Sequence, residues 1–111
     1  MHQDKSKEDQ VQELQLFEHT LQNILIEKQS MQAHMNEIIN ALNEINRTSG
    51  EVYRVIGDIM LSADKSNLKK ELHEKKDILN MRINSLEKQE QRIDEKINAV
   101  RSEIALYDKQ K

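Results

Sequence analysis

The sequence predicts a mainly α-helical fold, a long antiparallel two-helix coiled coil with one β-hairpin at its centre. Three observations carry this. Two stretches keep a heptad of apolar residues, proline is absent from all 111 residues, and a block rich in Val, Tyr and Ile separates the stretches. Composition points the same way. With 36% hydrophobic, 33% charged and 3% aromatic residues, the chain has too little apolar material for a compact globular core. It is therefore either disordered or helical and elongated, and periodicity decides.

In the first stretch, positions 14, 21, 28, 35 and 42 carry Leu, Leu, Lys, Met and Leu. Positions 17, 24, 31, 38 and 45 carry Phe, Ile, Met, Ile and Ile, so nine of the ten seam sites are apolar. A disordered segment has no reason to hold that register over five heptads, whereas a coiled-coil helix must. Ser6 with Asp9 offers a start, a hydroxyl cap with a carboxylate in the first turn. Thr48-Ser49-Gly50 supplies the stop, with Gly50 expected to take the left-handed conformation past the helix end. Helix 1 is thus placed at about residues 6–48.

The next block, residues 51–63, reads as two short strands joined at Gly57-Asp58. Tyr53 and Val55 lie on one side of the strand, Val52 and Ile56 on the other, so both faces are apolar. An isolated two-stranded hairpin is marginal and has unpaired edges, so this one is expected to complete its sheet with other chains. Val52, Tyr53, Val55, Ile56, Gly57, Ile59, Met60 and Leu61 are the expected oligomerisation residues.

The second stretch, residues 65–109, repeats the pattern. Positions 72, 79, 86, 93, 100 and 107 carry Leu, Leu, Leu, Ile, Val and Tyr; positions 76, 83, 90, 97 and 104 carry Lys, Ile, Glu, Ile and Ile. Asp64 or Ser66 is the expected cap. At about 42–45 residues each, the two helices are matched at roughly 63–67 Å, which suits one hairpin of helices. Folding Leu42 against Leu72 pairs Met35 with Leu79, Lys28 with Leu86, Leu21 with Ile93 and Leu14 with Val100. Lys28 and Glu90 interrupt the seam one layer apart and either pair across it or snorkel to solvent. Farther out, Ile104 meets Gln10 and Tyr107 meets Lys7, so the seam loses its apolar partners near the free ends.

Several functions find no support. The chain has no cysteine, which excludes disulfides and thiolate chemistry. His2, His19, His34 and His73 are dispersed, without the convergence a metal site needs. There is no glycine-rich phosphate loop and no supported nucleophile–His–acid set, so no enzyme is expected, and no cofactor. A net charge of −3, with 17 basic and 20 acidic residues, argues against nucleic acid or an acidic membrane surface as partner. The polar start MHQDKSKEDQ does not resemble a signal peptide, so an intracellular chain is expected.

Two long helices flanking Val52-Tyr53-Arg54-Val55-Ile56-Gly57-Asp58-Ile59-Met60-Leu61 resemble a prefoldin subunit of the beta type. The run from Leu86 to Lys96, LEKQEQRIDEK, is also similar to the second helix of that family. The Tyr53-x-x-Ile56-Gly57 hairpin between equal helices is the more specific feature, because heptads recur by convergence. Alpha-type subunits carry two hairpins in this connection, and here there is room for one. Family members often have proline after the hairpin glycine, where this chain has Asp58.

The resemblance implies a single prefoldin-like domain over residues 1–111 that works as an ATP-independent holdase in the cytoplasm. It implies a hexamer of two alpha and four beta subunits, in which the hairpins form an intersubunit β-barrel. The coiled-coil tips would grip unfolded clients and pass them to a group II chaperonin. On that reading the client-binding residues are Val11, Leu14, Leu16, Phe17, Val100, Ile104, Leu106 and Tyr107, clustered where the seam runs out of partners. A plainer alternative is that these side chains cap the coiled coil or simply fray. The competing function is a structural scaffold or tether that binds one defined folded partner.

Overall fold

The computed structural model describes residues 6–109. Helix α1 runs Lys7–Arg47, strand β1 Val52–Ile56, strand β2 Ile59–Ala63 and helix α2 Lys65–Lys109. The chain divides into two compact units. A terminal unit takes residues 6–29 and 85–109, and a hairpin unit takes residues 30–84.

Each helix begins where its cap predicts. The Ser6 hydroxyl accepts from the Asp9 amide at 3.1 Å, which satisfies a first-turn donor of α1. Asp64 does the same for α2, its Oδ1 accepting from the Ser66 amide at 3.0 Å. The end of α1 differs from expectation. Gly57 is the one described residue at positive φ, so Gly50 does not make a left-handed cap. Instead the Thr48 amide and hydroxyl both donate to the Glu44 carbonyl, at 3.0 and 2.7 Å. Lys65 of α2 then donates to the Thr48 carbonyl. The Thr48 hydroxyl thus reinforces the bond that closes the last turn, and the chain leaves α1 without a left-handed residue at Gly50.

Within the terminal unit the two helices pack antiparallel. Ile24, Leu86, Ile97 and Val100 are buried there, all of them heptad positions. The two polar residues expected to interrupt the seam one layer apart form a direct pair: Lys28 Nζ lies 3.0 Å from Glu90 Oε2, and both side chains are about three-quarters covered. The ammonium is held protonated above its ordinary value, chiefly by that hydrogen bond, against the opposing effect of desolvation. In the hairpin unit, Met35, Leu42 and Ile45 are buried on α1, and Leu72, Leu79 and Ile83 of α2 are half-buried. No large side chain among the described residues is fully enclosed, as expected where only two helices meet.

The strands pair antiparallel, Val52 opposite Ala63 through Ile56 opposite Ile59. Gly57 has φ +60°, and Asp58 is not at positive φ, which is the pattern of a II′ turn with glycine first. This register puts Val52, Arg54, Ile56, Ile59, Leu61 and Ala63 on one face, and Tyr53, Val55, Met60 and Ser62 on the other.

Candidate functional site

Two surfaces of different origin stand out, one in each unit. The hairpin is the first. Only its base is covered, at Val52 and Ala63, while every strand residue between is exposed. Val55 and Met60, opposite one another, are each 67% accessible, and Tyr53, Ile56, Ile59 and Leu61 are also exposed. Both faces therefore present exposed apolar side chains in the single chain. The Tyr53 hydroxyl donates to Glu51 at 2.7 Å, and that bond raises its pKa above the ordinary value. Across the other face the Arg54 guanidinium forks onto the Glu71 carboxylate of α2, at 2.9 and 2.7 Å. Arg54 holds the Glu71 carboxyl below the usual carboxylate range, with Lys75 adding to the effect.

The second surface is the end of the terminal unit, where the start of α1 meets the end of α2. The structure divides the eight residues expected there. Val100 is buried, and Val11, Leu14, Phe17 and Ile104 are half-buried in or beside the seam. Leu16 and Leu106 are exposed at 63% and 61%, and Tyr107 is exposed as well. The Lys96 ammonium lies over the ring of Phe17, the only phenylalanine, 5.7 Å from its centroid. Ion pairs close the flanks: Lys7 with Asp108, and Glu18 with Arg101 at 3.4 Å.

The expected register holds here to within a residue. Lys7 reaches Asp108, the neighbour of Tyr107, and Gln10 donates to Glu103, the neighbour of Ile104, at 3.3 Å. Gln10 is buried in the seam, and its Oε1 has no partner. Periodicity signals Gln10 only as a seam site filled by a polar residue; its orphaned acceptor depends on three-dimensional packing. The Arg54–Glu71 fork is likewise invisible to a heptad, since it links a strand to a helix.

Neither surface is an enclosed reaction site. An open groove in the hairpin unit is floored by Ile38, Leu72, Ile78 and Leu79 and rimmed by Glu37, Lys75 and Arg82. His34 and Glu37 approach to 3.6 Å on α1 but are well exposed. Among the described residues no three His, Cys, Asp or Glu side chains converge as metal ligands, and His2 lies outside them. No described helix is long and apolar enough to cross a membrane.

Comparison with known proteins gives this arrangement a family. The family model described as "Prefoldin subunit" matches residues 6–110. The chain is 34% identical over 94 residues to the prefoldin subunit beta of Pyrococcus furiosus, covering 83% of this chain and 80% of that protein. It is 31% identical over 101 residues to the corresponding subunit of Pyrobaculum islandicum, with 89% and 81% covered. The crystal structure of the prefoldin beta subunit from Thermococcus strain KS-1 superposes with a TM-score of 0.82 at 29% identity, covering 88% of each chain. By that match over residues 6–110 and by these identities, the chain belongs to the prefoldin subunit family.

Proposed function

We propose that the chain is a beta-type prefoldin subunit that captures unfolded proteins without ATP and passes them to a group II chaperonin in the cytosol. Family membership supports the coarser part of this reading, a non-enzymatic chaperone subunit that assembles with other prefoldin subunits. The finer parts rest on two surfaces. The exposed apolar hairpin is the one observation that carries assembly. Its six large side chains face water on both sides, an arrangement that favours burial against further strands. Four copies with two alpha-type subunits would close the sheet into a barrel and leave no free edge.

Client capture is assigned to the end of the terminal unit. Leu16, Leu106 and Tyr107 supply apolar surface there already, and Leu14, Phe17 and Ile104 supply more wherever the seam loosens. Such contacts are weak and tolerant of sequence. Several ends acting on one client bind it tightly through effective concentration, and each contact alone still releases.

The test of assembly is solution mass after mixing with an alpha-type subunit. The reading predicts a six-subunit particle, and Val55→Ser with Met60→Ser should leave smaller species. A wild-type chain that never joins an alpha-type subunit contradicts it. Holdase action is then read as ATP-independent suppression of turbidity when a denatured protein is diluted.

A further inference from the structure

Resting on the assembly reading above, we infer that Arg54 and Glu71 are positioning residues that orient the β-hairpin on α2 so that it is offered to neighbouring subunits at one angle. Two features of the hairpin make such a device necessary. Its strands enter through the short segment 48–51 and leave through Asp64 alone. Beyond the half-buried Val52 and Ala63, every strand residue remains exposed. A ribbon seated only at its base is free to rock.

Arg54 stands where rocking can be stopped. It is the one charged residue among the ten strand residues, and it lies on the face shared with Ile56 and Leu61. Its two terminal nitrogens meet the two Glu71 oxygens at 2.9 and 2.7 Å, a planar fork on a planar carboxylate. One hydrogen bond permits rotation, whereas a bidentate pair resists it. Glu71 is itself steadied by Lys75, one turn along α2 at 3.5 Å. Among the described residues this is the only side-chain hydrogen bond between a strand and a helix.

The bland alternative is solubility: a single charge keeping an apolar ribbon in solution. That role needs no partner, and Glu71 would be dispensable to it. A solubilising charge would also serve equally well on the opposite face. Orientation instead requires both members, and it depends on their complementarity rather than on which residue carries which sign.

The experiment compares wild type, Arg54→Gln, Glu71→Gln, and the exchange Arg54→Glu with Glu71→Arg, each mixed with an alpha-type subunit. Oligomer dissociation is followed by mass on serial dilution, and helix unfolding by circular dichroism. Each single variant should weaken assembly roughly fivefold, the scale of one well-aligned ion pair. The exchange should recover most of that loss, and the helix-unfolding midpoint should stay within error of wild type throughout. Single variants that assemble like wild type overturn the positioning role and leave the assembly reading standing. So does a loss in the single variants that the exchange does not restore. A wild-type chain that stays monomeric overturns both.

Discussion

Gln10 shows how one residue can set the behaviour of a surface. It occupies a seam site, gives one hydrogen bond to Glu103, and leaves Oε1 buried without a partner. An unsatisfied buried acceptor costs about 1–3 kcal/mol, so the terminal end of the seam is weaker than its apolar neighbours suggest. Gln10→Leu should stabilise the chain by about 1–2 kcal/mol in urea unfolding and reduce client capture; an unchanged or lower stability would show that Oε1 is not a liability. Lys28 and Glu90 present a different case. Replacing both with Met and Leu should leave the unfolding midpoint equal or higher, whereas Glu90→Leu alone should lower it by stranding the ammonium in the seam. Because Lys28 is raised above its ordinary 10.5, its contribution is full below that value and fades as pH rises through the raised one. Glu71 has the opposite sign. Its carboxyl is lowered from 4.5, so the Arg54 link is intact above that value and is lost as pH falls through the lowered one. Assembly measured against pH should therefore weaken on the acid side of pH 4.5, and Glu71→Gln should flatten that part of the profile.

At the scale of elements, the helices were the legible part. Every buried apolar residue, from Ile24 and Met35 to Ile97 and Val100, is a heptad position read from spacing alone. The reason is physical: two helices offer one seam, so burial follows sequence period with no competing geometry. Leu42→Ala and Leu86→Ala should each cost about 2–4 kcal/mol, and Ile26→Ala, exposed at 57%, close to nothing. Strand pairing and the turn were legible for a similar reason, since Gly57-Asp58 fixes the register by itself. With Gly57 at φ +60° and open space around its Cβ position, Gly57→Asn should be tolerated. Gly57→Val should cost about 1–2 kcal/mol of hairpin stability, seen as weaker assembly. What spacing missed is what crosses between elements. The α1 stop falls at the expected Thr48-Ser49-Gly50, but with the Thr48 hydroxyl on the Glu44 carbonyl and no left-handed glycine. The Arg54–Glu71 fork depends on how a ribbon leans on a helix, and a one-dimensional period carries no such information. At the terminal end, period alone marks Leu14, Phe17, Val100 and Ile104 as seam, and it cannot say how far each is covered.

For the whole molecule, the proposed function assigns assembly to one unit and capture to the other. The hairpin unit carries exposed strands suited to joining other subunits, and the terminal unit carries apolar side chains at the end of a weakened seam. Assembly and capture should then be separable by mutation, which a scaffold with one binding surface would not allow. The most direct measurement is light scattering of a chemically denatured protein diluted into buffer containing this chain and an alpha-type subunit. It is repeated with residues 1–17 and 104–111 of this chain removed. Suppressed aggregation that disappears on deletion, with the mass of the assembly otherwise unchanged, is the result expected of capture at the terminal end. Aggregation as fast with the intact assembly as in buffer alone would contradict the chaperone account and favour a scaffold that binds one folded partner.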